Sequence, residues 1–193
     1  MSHRVLVAAA LLTWVADASA QRPAVPPPRS DTSVPYNERQ DPRATGHIQA
    51  QIYIGQTAPD FELDDSDGSP VRLSRLRGDW ILLVFMDRGR DLAQLRQVDD
   101  QIHRLGARLV TVTHEKSRVL KNIARRDSLA FRLLSDVTGQ VAASYGMYDY
   151  QRSEVRTGFL MIDRGRVVRL LLVGPLPPPD ALARLTEFSI TGL

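Results

Sequence analysis

The seven consecutive residues Trp80–Met86, WILLVFM, are apolar throughout. They show no alternation of faces and are bounded by charge, Asp79 before and Asp87 after. A run of this length without alternation is the pattern of a central strand buried on both faces. The remainder of the chain has to cover both.

The flanking sequence supplies that cover. Upstream, residues 61–63 and 71–73 alternate around the turn-rich Asp64-Asp65-Ser66-Asp67-Gly68 and predict a hairpin. Downstream, Leu92, Leu95, Val98, Ile102 and Leu105 recur at intervals of three and four. That spacing predicts one amphipathic helix over 92–105, with Asp91 as its cap and Gly106 as its stop. Residues 109–112 read as a strand, Ser117 as the cap of a second helix through Val119, Leu120 and Ile123, and residues 131–134 as another strand. A short helix over 141–145 follows. Two strands, 159–162 and 167–173, are joined by the tight turn Asp163-Arg164-Gly165, and Asp180 caps a last helix over 181–188. Alternation of strand and helix requires parallel pairing in the first half, and the tight turn requires antiparallel pairing in the second. The expected fold class is α/β, a mixed sheet flanked by helices, with one core and no repeat.

Three segments are expected. Residues 1–20 carry Arg4, an apolar run from Val5 to Ala16, and the small-residue site Ala18-Ser19-Ala20 before Gln21. This is the pattern of a cleavable export signal, and its apolar run is shorter than the roughly 20 residues a membrane span needs. Residues 21–50 are proline-rich and polar without an apolar period, an extended or disordered leader. Residues 51–193 form the folded domain. The expected location is outside the cytoplasm, periplasmic or secreted, with no membrane span. A lipid anchor is not expected, because no cysteine stands at the cleavage point to accept one.

Cysteine is absent from all 193 residues. Exported proteins are where disulfides persist, so stability here has to come from the core. The net charge is +3 and, of 25 basic residues, 23 are arginine. Acids are interleaved with those arginines and no basic run carries aromatics, so no nucleic-acid partner is expected. The four histidines are scattered, which leaves no metal-ligand cluster. His114-Glu115 follows a strand, on the edge where open α/β sheets hold ligands, although a lone His-Glu pair in a loop is far more often solvated than functional. No Gly-x-Ser-x-Gly, Walker or dinucleotide glycine pattern is present, so hydrolase, NTPase and dehydrogenase chemistry has no motif. No cofactor is implied.

Four segments in order carry a resemblance. They are Ile54-Gly55-Gln56-Thr57-Ala58-Pro59-Asp60-Phe61-Glu62-Leu63; Leu73-Ser74-Arg75-Leu76-Arg77-Gly78-Asp79-Trp80; the stretch from Phe131 through Ser135-Asp136 to Tyr145-Gly146; and Phe159-Leu160-Met161-Ile162-Asp163. Together these resemble the peroxiredoxins of the alkyl hydroperoxide reductase and thiol-specific antioxidant group, over about residue 52 to the C-terminus. The resemblance implies a thioredoxin-like sandwich and an antioxidant, oxidoreductase family.

It also implies a peroxidatic cysteine just after the WILLVFM strand, where a helix N-terminus and an arginine depress the thiol pKa. Here that stretch is Asp87-Arg88-Gly89-Arg90-Asp91-Leu92, and the family's cysteine positions fall at about Arg88 and Asp91. Neither can form the sulfenic acid that a thiol cycle passes through. Met86 is the nearest sulfur and reads as core filler. The family's substrate-holding arginine is matched most nearly by Arg156, one residue further from Ile162-Asp163 than the pattern has it.

Two readings of the altered turn stand. Arg88, Arg90 and Arg156 could form an anion pocket at a helix N-terminus, or Asp91 could cap that terminus and leave a solvated turn. The expected function is a redox-inactive, exported binding or interaction module, open to a protein partner. The alternatives are an antioxidant role through a partner that supplies thiols, and an enzyme with unrelated chemistry in the altered pocket.

Overall fold

The computed structural model describes residues 52–76 and 78–192, apart from the Arg90 side chain. The expected signal and leader, residues 1–50, lie outside the described residues. Those described form β1 (Glu62–Asp65), β2 (Pro70–Arg72), β3 (Trp80–Met86), α1 (Arg96–Arg104), β4 (Ala107–Thr113), α2 (Ser117–Asp127) and β5 (Arg132–Ser135). After these come α3 (Gln140–Ser144), β6 (Tyr148–Asp149), β7 (Glu154–Val155), β8 (Gly158–Ile162), β9 (Val168–Val173) and α4 (Pro179–Thr191).

The main sheet runs β2-β1-β5-β4-β3-β8-β9, which puts the apolar strand β3 in its interior. β3, β4 and β5 are parallel, because α1 and α2 carry the chain back across the sheet between them. β8 and β9 are antiparallel to their neighbours. Their turn is built by Asp163, whose Oδ1 accepts the N–H groups of Gly165 and Val167, each at 2.8 Å. The left-handed residue is Arg166, with φ 70°, and not Gly165.

Alternation along β3 shows why the run has to be apolar. Ile81, Leu83 and Phe85 face one core with Phe61, Leu73, Val112, Ala142 and Tyr145. Leu82, Val84 and Met86 face a second core with residues of α1, α2 and α4: Val98, Ile102, Leu120, Ile123 and Leu182. At about 1.5–3 kcal/mol for each fully buried large aliphatic or aromatic side chain, these two cores hold the fold in a chain that has no disulfide.

Several local expectations are corrected. The single helix over 92–105 is two helices, a 3-10 helix over Gly89–Leu95 followed by α1. Gly89, Leu92 and Leu95 are all buried, and an interval of three matches the 3.0 residues per turn of a 3-10 helix, so this winding keeps all three on the core side. Val98 and Ile102, four apart, return to the α period. Asp91 is therefore inside the first helix. The cap position is Arg88, with extended backbone and no side-chain cap. Lys116, not Ser117, precedes α2. Likewise Pro178, not Asp180, precedes α4, since Pro179 suits a first helical position that has no N–H to satisfy.

Candidate functional site

Asp87, the first residue beyond β3, ties three elements together. Its Oδ1 accepts the Val155 N–H at 3.0 Å, and its carbonyl accepts the His114 N–H at 3.3 Å. The β6–β7 hairpin is thereby fixed against the carboxyl ends of β3 and β4. Arg88 turns back on its neighbour, with Nε 3.3 Å from Asp87 Oδ2, and its side chain is largely exposed. His114 Nδ1 lies 3.9 Å from Asp87 Oδ1, and the imidazole meets Tyr148 edge to face with centroids 6.0 Å apart. Tyr148 packs in turn on Tyr150 and over Gly139.

On the other side of this tie a cleft of about 580 Å³ opens. Met86, almost fully buried, contributes to the lining, and the 3-10 helix contributes Asp91 and Gln94. The β6–β7 hairpin and the approach to β8 add Asp149, Arg152, Arg156 and Thr157, while Val173, Gly174, Pro175 and Leu176 complete the lining. The same three-residue period that buries Gly89, Leu92 and Leu95 stacks Asp91 and Gln94 on one line of the helix, so both reach the cleft. Arg156 Nη2 stands 3.7 Å from Asp149 Oδ2. The other Asp149 oxygen accepts the backbone N–H groups of Gln151 at 3.0 Å and Arg152 at 3.2 Å, which sets the turn carrying Arg152.

Of the residues singled out in the sequence, Asp91 and Arg156 come together in this cleft, and Arg88 is not in its lining. Arg90 lies in the 3-10 helix, its side chain outside the described residues. Asp149, Arg152 and Gln94 gave no signal in the sequence. The two-residue strands β6 and β7 have no legible period, and Gln94 falls between the apolar positions Leu92 and Leu95 with nothing to single it out. A second cleft, about 420 Å³, lies at the opposite end of β4 beside Asp99, His103, Arg108 and Arg132. Burial, with Asp100 adding to it, raises the Asp99 pKa against the opposing pull of His103. Both arginines there are committed, Arg108 to Asp79 at 2.6 Å and Arg132 to Asp65 at 3.7 Å. Among the described residues no group of three or more histidines and carboxylates lies placed to hold a metal, and no helix is long and apolar enough to cross a membrane.

The segments that carry the resemblance do structural work. Ala58 is fully buried and exchanges bonds with Arg166: its N–H reaches the Arg166 carbonyl at 2.8 Å, and Arg166 Nη2 returns to its oxygen at 2.8 Å. Tyr145 donates its hydroxyl to the Pro59 carbonyl at 2.6 Å and packs against Phe61 and Phe85. Burial, only partly offset by Arg166, keeps that phenol protonated well above its ordinary range. Asp60 accepts the Ser74 N–H at 2.8 Å. Burial alone would raise its pKa, but the Ser74 bonds and the charges of Arg166 and Arg72 bring it below the usual value.

Residues 54–170, more than half of the chain, match the AhpC/TSA family. The chain belongs to that family. Peroxiredoxin Bcp of Escherichia coli is 29% identical over 103 residues, which span 50% of this chain and 66% of that one. The match thus covers just under two thirds of that relative's length. The chloroplastic peroxiredoxin Q of Arabidopsis thaliana is 29% identical over 150 residues, 74% of this chain and 69% of that one. Among solved structures, peroxidoxin BcpB from Mycobacterium tuberculosis superposes with TM-score 0.66 at 25% identity, covering 74% of this chain and 98% of that one. The fold is the thioredoxin-like sandwich expected of peroxiredoxins. This peroxiredoxin-like domain keeps the family's scaffold and has no cysteine on it.

Proposed function

We propose that this member of the AhpC/TSA family is an exported, redox-inactive binding module whose working face is the cleft beside the 3-10 helix. The observation that carries the reading is a pairing of loss and retention. The thiol chemistry is removed at its root, because no residue of the chain can form a sulfenic acid. Yet the 3-10 helix after β3 still lines a formed cleft, with charged side chains brought in from three separate segments. Export is supported by the Ala18-Ser19-Ala20 pattern at the end of the first apolar run.

The test has two arms. Purified protein given hydrogen peroxide or an organic hydroperoxide, with thioredoxin or glutaredoxin as electron donor, is expected to show no turnover above a heat-treated control. Turnover would overturn the reading. In the second arm, a photo-crosslinking residue at Gln94 is expected to capture a defined species in the exported fraction that the same residue at Lys121, on α2, does not. Equal capture at both positions would remove the cleft as the working face.

A further inference from the structure

The charges that line the cleft balance, and their commitments differ. Two carboxylates, Asp91 and Asp149, face two guanidiniums, Arg152 and Arg156. Asp149 and Arg156 stand together at 3.7 Å, and Asp149 also accepts two backbone N–H groups of its own turn. Asp91 and Arg152 make no ion pair with any described residue. They come from different elements, Asp91 from the 3-10 helix and Arg152 from the turn between β6 and β7. The remaining lining includes the apolar side chains of Met86, Val173 and Leu176. The lining carries as many carboxylates as arginines, so its net charge favours neither a simple anion nor a simple cation. A ligand that meets both Asp91 and Arg152, neither of them ion-paired among the described residues, carries one charge of each sign, and the apolar part of the lining suits an apolar body. The volume of about 580 Å³ is within the usual range for sites that take small organic ligands.

We propose that the cleft binds short zwitterionic peptides, the ammonium at Asp91 and the carboxylate at Arg152, with apolar side chains over Val173 and Leu176. Gln94, stacked beside Asp91 on the 3-10 helix, offers an amide to the peptide backbone. This deepens the binding-module reading and rests on it.

Calorimetric titration of the full chain with L-leucyl-L-leucine provides the test, alongside the N-acetylated and the C-terminally amidated dipeptide. The free dipeptide is expected to bind, and each capped analogue about tenfold more weakly, the loss of one charged contact of about 1.4 kcal/mol. Asp91→Asn is expected to weaken the free dipeptide to the level of the N-acetylated one and leave the latter unchanged. Arg152→Gln is expected to do the same with respect to the amidated one. Because each variant is judged by which analogue it still tells apart, a general loss of structure gives a different result. No binding of the dipeptide, or equal binding of all three compounds to the unaltered protein, would overturn the proposal. If capture at Gln94 persisted without dipeptide binding, the ligand class would fall and the module reading would stand.

Discussion

Single residues in this protein divide into those that mark the family and those that fill its altered corner. The markers can be tested for the structural role given to them. Tyr145→Phe removes the hydroxyl that meets Pro59 and leaves the ring contacts with Phe61 and Phe85 in place. A loss of about 0.5–1.5 kcal/mol in denaturant unfolding is expected, the usual net worth of one hydrogen bond. Asp163 gives a pH dependence with a definite sign. Burial would raise its pKa, but the Val167 and Gly165 N–H groups and Arg169 outweigh it and hold the value below that of a free carboxyl. The folded-state pKa being the lower one, the unfolded chain binds more protons between the two values. The contribution is then complete above the unfolded value of about 3.9 and is lost as pH falls through the lowered one. Asp163→Asn should be the less stable protein at pH 6 and should lose less stability than the parent between pH 6 and pH 3, read from urea midpoints. An equal loss in both would show that Asp163 is not one of the groups being protonated.

Among the elements, the helix after β3 decides what the corner can be. The apolar residues at 92, 95, 98, 102 and 105 spelled out its existence and its buried side. They could not distinguish a continuous α-helix from a 3-10 start, because 92 and 95 satisfy both periods. The structure winds Gly89–Leu95 as a 3-10 helix, with Gly89 set against Leu120 and Ile123 of α2. That winding moves Asp91 from a cap to the cleft wall. A thiol placed there reads the local field directly. Asp91→Cys is expected to show a pKa below the ordinary value of about 8.5, since it removes a carboxylate beside Arg152 and Arg156 and keeps both. The pH dependence of its alkylation measures this. An unshifted thiol would mean that the arginines do not act at that position. The β6–β7 hairpin is the reverse case. Its strands of two residues each carry no period to recognise, and their place depends on the bond from Val155 to Asp87, 68 residues away in sequence.

For the whole molecule, the proposed export bears most on where any partner is found. Mass spectrometry of the protein from its native host is expected to find Gln21, or its cyclised form, at the N-terminus. Recovery with Met1 intact from the cytosolic fraction would sink the export reading. At this scale the sequence by itself determined the mixed sheet and the burial of β3 on both faces, while the two separate cores that result were seen only in the structure. Hydrophobic period is a local signal, and the apolar run of β3, the crossovers through α1 and α2 and the tight turn at Asp163 each impose one pairing direction. The sequence likewise determined that the chain supplies no thiol of its own, since it contains no cysteine. Which charged residues share the cleft was decided only by the tertiary structure. Asp91, Arg152 and Arg156 lie in separate segments with no spacing rule between them, and a charge reveals its neighbour only after packing has fixed the elements that carry it.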